Sequence, residues 1–116
     1  MIIDFDIYDN KFYVFTPKYL VMYEILGNFY LKYVKHSIVN FDYSFLSFNN
    51  KIFVTNNFVF LHVKYEIIIY YNDLEYFRSV ILSVSDDHKS SSCGIYVENN
   101  IVYVVRNCRI RIYELY

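Results

Sequence analysis

The sequence predicts an all-β chain assembled from repeated antiparallel meanders, and three observations carry that expectation. The first is the residue supply. Among 116 residues there are 15 Tyr, 11 Phe and 14 Ile, two Gly and one Pro, and no Ala, Gln or Trp. Aromatic and β-branched side chains suit a pleated, half-buried surface, and the best helix former is missing. The second is self-similarity at a fixed offset, the mark of a repeat architecture. The third is that several strand-length runs are apolar at both odd and even positions, so both faces of those strands want cover.

The repeat begins with residues 5–14, Phe-Asp-Ile-Tyr-Asp-Asn-Lys-Phe-Tyr-Val, which recur forty positions later as Phe-Leu-Ser-Phe-Asn-Asn-Lys-Ile-Phe-Val, residues 45–54. Phe, Asn, Lys and Val are identical, and Tyr8/Phe48, Asp9/Asn49, Phe12/Ile52 and Tyr13/Phe53 are close exchanges. At an offset of ninety, Phe12-Tyr13-Val14 matches Val102-Tyr103-Val104. Leu20-Val21-Met22-Tyr23-Glu24-Ile25 likewise matches Ile110-Arg111-Ile112-Tyr113-Glu114-Leu115. A single domain over 1–116 with units of approximately 1–40, 41–90 and 91–116 follows.

Each unit parses in order. A first strand meets a turn at Asp9-Asn10, Asn49-Asn50 or Asn99-Asn100, residues that tolerate the positive φ of tight hairpin turns. Second strands are expected at Phe12–Phe15, Ile52–Thr55 and Ile101–Val105. After turns at Thr16-Pro17-Lys18, Asn56-Asn57 and Arg106-Asn107 come third strands at Tyr19–Ile25, Phe58–Val63 and Arg109–Leu115. Unit one continues through Gly27-Asn28 into Phe29–Lys35; unit two continues through Glu66–Tyr71, turns at Asn72-Asp73 and enters Leu74–Val84. The last segment also admits a short helix. Asp73 could cap it, and Leu74, Phe77, Ile81 and Val84 fall on one helical face.

The sequence of polar turn, Lys-Ile-Phe-Val, short turn and Leu-x-Met-Tyr-Glu-Ile resembles the second and third strands of β-propeller blades. That resemblance implies four-stranded meanders of roughly 40–50 residues packed face to face. Three units make half a ring, which closes as a homodimer; a β-trefoil monomer is the alternative. The 26 Phe and Tyr residues exceed what a small interior can absorb, and the surplus is expected at an interface.

Composition also excludes function classes. The formal net charge is −1, so no global basic field draws nucleic acid. Met1 to Asp6 lacks the positive region of a secretory signal and carries two carboxylates. No stretch reaches the roughly 18 apolar residues of a membrane span, and the expected location is cytoplasmic, in the host cytoplasm or virion if viral. Cys93 and Cys108 are too few for a disulfide scaffold or a four-ligand zinc site; reduced thiols are the simpler expectation, with a bond between them open. No phosphate loop, nucleophile elbow or zinc-protease motif occurs. No cofactor and no metal are expected, and the regular interval of His36, His62 and His88 matches no ligand spacing.

Three constellations remain as candidate sites. Arg106, Arg109 and Arg111 beside Tyr103 and Tyr113 combine cations with stacking surfaces, as single-stranded nucleic-acid binding requires. Arginines snorkelling over a packed strand give the same pattern. Asp86, Asp87 and His88 open the one long polar stretch, a loop that could serve as a binding element. Glu24 and Glu114 recur beside a tyrosine and could line a sugar pocket. The function these observations imply is a non-enzymatic, self-associating protein-interaction domain. Its partners would be itself and an unknown protein, and its AT-rich residue usage suits a virus or mobile element. A carbohydrate-binding module is one alternative and a single-stranded nucleic-acid binder is another.

Overall fold

The protein is described here by a computed structural model, in which residues 1–28, 30–39, 50–63, 66–81, 93–106 and 109–115 are described. The chain divides into two compact units, Met1–Ile81 and Leu82–Tyr116.

Sheet one of the first unit is an antiparallel meander in sequence order: β1 (Asp4–Tyr8), β2 (Lys11–Phe15), β3 (Tyr19–Leu26) and β4 (Tyr30–Ile38). Its first turn is the two-residue Asp9-Asn10, with φ of 48° and 62°. Left-handed backbone at both central positions is the hairpin turn whose twist matches that of the strands. Sheet two repeats the meander with β5 (Lys51–Val54), β6 (Phe58–Val63), β7 (Glu66–Tyr71) and β8 (Tyr76–Ile81). The second unit holds a three-stranded sheet, with β10 (Ile101–Arg106) central between β9 (Cys93–Glu98) and β11 (Arg109–Glu114). The all-β expectation holds throughout the described residues.

The repeat has a physical counterpart. The Ile25 amide donates to the Asn10 carbonyl at 3.0 Å, and ninety residues on the Leu115 amide donates to the Asn100 carbonyl at 2.8 Å. The turn after β2 also recurs. Thr16 accepts on its hydroxyl from the Tyr19 amide at 2.9 Å, and Thr55 does the same for Phe58 at 3.2 Å. That match lies at an offset of 39, so the gap-free forty-residue register slips by one within β5. The forty-residue offset makes 51–54 a second strand; among the described strands β5 stands first in its sheet. The stretch 45–49, expected as its first strand, lies outside the described residues.

The helical alternative at 73–84 is overturned for its described part. The Asp73 carboxylate does accept an amide, that of Glu75 at 3.0 Å, but the bond closes a turn. Leu74 takes φ 69° with its side chain buried, and β8 then pairs with β7 from Tyr76 to Ile81.

Cross-strand register assigns the faces, because directly opposed residues share one. Phe15 and Leu20, and Tyr13 and Met22, line the inner face of sheet one; Ile52, Leu61 and Ile68, and Val54, Val59 and Tyr70, line the facing side of sheet two. Together they form one buried cluster. Every residue of β6 is buried, so this strand is covered on both faces, as its two-faced apolar pattern predicts.

Polar ties hold the two sheets in place. Asp4 and Asp6 project from β1 onto the free edge of β5, where their carboxylates accept the amides of Ile52 (3.0 Å) and Val54 (2.8 Å). The Tyr13 hydroxyl donates to the Asn72 carbonyl at 3.3 Å, and Ser37 donates to the Leu74 carbonyl. A buried amide left without an acceptor costs about 1–3 kcal/mol. Asp6→Ala is therefore expected to destabilise the chain by about that amount, and Asp4→Ala by somewhat less because its bond is longer, as urea titration would measure.

Candidate interaction surfaces

The two units each present an apolar sheet face to solvent. On sheet one it is the face opposite the core. Ile7, Phe12, Tyr23 and Tyr33 stand in one cross-strand row over all four strands, and Phe5, Val14, Val21 and His36 form the next. The rings contact in sequence. Phe5 stacks on Phe12 at 5.2 Å, Phe12 meets the edge of Tyr23 at 6.4 Å, and Tyr23 meets Tyr33 at 6.3 Å. Phe5 is 54% exposed and Tyr33 53%. Aromatic pairs on this geometry stiffen the face without burying it.

In the second unit, the register joins Tyr96, Tyr103 and Ile112 in one row and Val105 with Ile110 in the next. Ile110 and Ile112 are 68% and 63% exposed, and Tyr96 is also exposed. The opposite face carries Val102 and Val104, both buried.

This register separates the arginine constellation. Arg111 opposes Val104 and Tyr113 opposes Val102, both on the covered face, while Arg106 and Arg109 pair only through the backbone register. Tyr103 lies on the open face with Tyr96 and Ile112. Arg111 is half-buried. Asp86, Asp87, His88 and Cys108 lie outside the described residues. Glu24 sits in register between Lys11 and Lys32, an alternation of charge across three strands, and Glu114 opposes Ile101 on an exposed strand end. Sequence reasoning missed the aromatic row of sheet one as a surface. Its signal was there in the alternation of Phe5 and Ile7 with Asp4 and Asp6, where the carboxylates are the inward residues.

The first unit also contains a groove of about 660 Å³. His36, Ser37 and Ile38 of β4 form one side; Glu66, Ile68, Tyr70, Tyr76 and Ser79 of β7 and β8 form the other. Burial lifts the Tyr70 hydroxyl above its ordinary pKa of 10.0, aided by Tyr76 and the Glu66 carboxylate. Burial likewise lifts Tyr13, with the Asn72 side-chain amide opposing and the Asp9 carboxylate adding to the rise. In both cases the folded state holds its proton to higher pH than the unfolded chain. Their stabilisation is full below pH 10 and is lost as pH climbs through the raised values. Stability is expected to fall above pH 10, and Tyr13→Phe with Tyr70→Phe should flatten that limb of a pH–melting curve. Among the described residues, no group of three His, Cys, Asp or Glu side chains could hold a metal ion, and no helix is long and apolar enough to cross a membrane.

Repeated four-stranded antiparallel meanders, packed face to face in the first unit, define an all-β architecture of the propeller type. The chain is similar to solved structures of Kluyveromyces lactis Hsv2. One aligns at 15% identity and a TM-score of 0.63, covering 98% of this chain and 33% of that one. A second, of Hsv2 with complete loop 6CD, aligns at 14% identity and 0.61, covering 97% and 32%. This chain thus spans about a third of the length of those structures. At such identity the likeness is one of fold. No protein-family model and no curated protein sequence matches the chain.

Proposed function

We propose that this chain is a non-enzymatic protein-interaction domain that works by self-association. The outer face of sheet one in each copy packs on the open face of the second unit's sheet in the other. The observation that carries this reading is the pair of apolar sheet faces open to solvent. Contiguous apolar patches beyond a few hundred Å² mark interaction sites on soluble proteins. The seven exposed side chains on these faces, each leaving about 100 Å² of a full area of about 150–250 Å², give the two faces together on the order of 700 Å². Standard stable interfaces bury roughly 800 Å² per partner.

A second copy is the occupant favoured by chemistry. Sheet one already buries its other face against a sheet of the same kind, through rows of aliphatic and aromatic side chains. The open face of sheet one offers rings and the open face of the second unit offers isoleucine and valine, the same pairing of surfaces. Each copy carries both faces, and closed two-fold dimers are the commonest soluble oligomers. The residue usage supports a home in a small AT-rich genome, viral or mobile. Sedimentation velocity across micromolar concentrations should show a species of twice the 14.2 kDa chain mass. A monodisperse monomer at the highest concentration overturns the reading.

A further inference from the structure

The groove between β4 and β7–β8 differs in kind from the open faces, because polar groups gather at an otherwise apolar seam. Along the inner face of sheet two, the rows run Ile52, Leu61, Ile68, Ser79 and Val54, Val59, Tyr70, Tyr76. Each row is aliphatic over β5 and β6 and acquires hydroxyls only where it reaches the groove. Tyr70 is 5% exposed and lines the groove. The Glu66 carboxylate, which bears on the Tyr70 proton, lines it as well. Tyr76 completes the wall. Its hydroxyl is 3.0 Å from the Ser79 hydroxyl, its ring meets Tyr70 edge-on at 5.8 Å, and it is more than half exposed.

From this arrangement we infer that the groove is a binding site for a neutral polyhydroxylated ligand of the size of one or two sugar rings. Its volume falls within the roughly 300–1,000 Å³ of small-molecule sites. Glu66 accepts from a ligand hydroxyl, Tyr70 donates to a neighbouring ligand oxygen, and the Tyr76–Ser79 pair can turn its protons to suit either role. The Tyr76 ring and Ile68 supply the apolar surface on which the C–H face of a sugar ring rests. Charge selects against anions. Among the described residues no lysine or arginine lines the groove, and Lys35 nearby is paired with Glu75 at 3.4 Å. A phosphate or sulfate would meet the Glu66 carboxylate with no lysine or arginine to offset it. The site lies wholly within the first unit, so it stands whether or not the chain self-associates.

The test is a titration of the full chain with methyl glycosides of glucose, galactose, mannose and N-acetylglucosamine, followed by amide NMR shifts. Inorganic phosphate is the anionic comparison. At least one glycoside should move the amides of Ser37, Ile68 and Ser79, and phosphate should not. Tyr70→Phe keeps the ring and removes the donor, and should weaken that binding about tenfold, which corresponds to about 1.4 kcal/mol. Glu66→Gln, whose amide only partly replaces the carboxylate, should weaken it less. Should Tyr70→Phe fail to fold, as its spectrum would show, Ser79→Ala at the rim takes its place. The inference is overturned if no glycoside shifts those amides, if phosphate alone does, or if the variants bind as the wild type does.

Discussion

Phe60→Ala is expected to remove about 3–5 kcal/mol from the unfolding free energy, the range for truncating a fully buried phenylalanine. Phe60 is 0% exposed and lies in the middle of β6, the strand that is buried along its whole length. Its ring contacts Phe58 at 5.9 Å and Phe53 at 6.5 Å, so alanine leaves a void that neighbouring rings, themselves pinned in strands, cannot collapse to fill. A domain of this size has about 5–15 kcal/mol in all, and the loss takes a large part of it. Chemical denaturation should show the midpoint falling with little change in slope. Phe5→Ala provides the contrast. Phe5 touches Phe12 but is more than half exposed, and the same truncation should cost well under a third as much. The two phenylalanines are chemically identical and differ only in which sheet face they occupy. A Phe60→Ala protein as stable as Phe5→Ala would contradict the full burial of β6.

How much of this was legible in the sequence depends on what kind of information each feature needs. Strand content was written locally. β-branched and aromatic runs separated by Asn and Asp turns gave Phe58–Val63 and Glu66–Tyr71 to the residue. The turns were readable because Asp9, Asn10, Asn28 and Asn99 take positive φ, which their short polar side chains tolerate. Leu74 takes the same φ with no such signal, held by burial in the core between the sheets, and there the helical pattern misled. The forty-residue match makes 51–54 a second strand, and the strand it places before it, 45–49, lies outside the described residues. What makes β5 the edge strand is tertiary: Asp4 and Asp6 close its free edge from β1. The groove was invisible for a related reason. Ser37 and Tyr70 are thirty-three positions apart, and no spacing rule brings them to one seam. The arginine motif shows the converse. Tyr103 was grouped with Arg111, yet the register pairs Tyr103 with Ile112 and Arg111 with Val104, on opposite faces.

Self-association through the two open faces can be broken and then restored, which separates it from every other mode of pairing. Ile7→Lys with Tyr33→Lys puts charge on the open face of sheet one, and Ile110→Glu with Ile112→Glu puts the opposite charge on that of the second unit. All four positions are at least half exposed, so each double variant should fold as the wild type does. Each alone is expected to be monomeric, because its pairing would bury two unpartnered charges against an apolar face at both contacts. Mixed in equal amounts, they should form a one-to-one dimer. One contact then joins two unaltered faces, and the other joins lysines to glutamates. A dimer built on sheet one against sheet one would behave differently: the lysine variant would dissociate, the glutamate variant would remain dimeric, and mixing would create nothing new. Pairing along strand edges would leave both variants dimeric, since neither substitution touches the backbone edge of β4 or β11. Sedimentation of the two variants and their mixture therefore reads the interface itself, and only dissociation of both with recovery on mixing is compatible with the face-to-face, reciprocal arrangement.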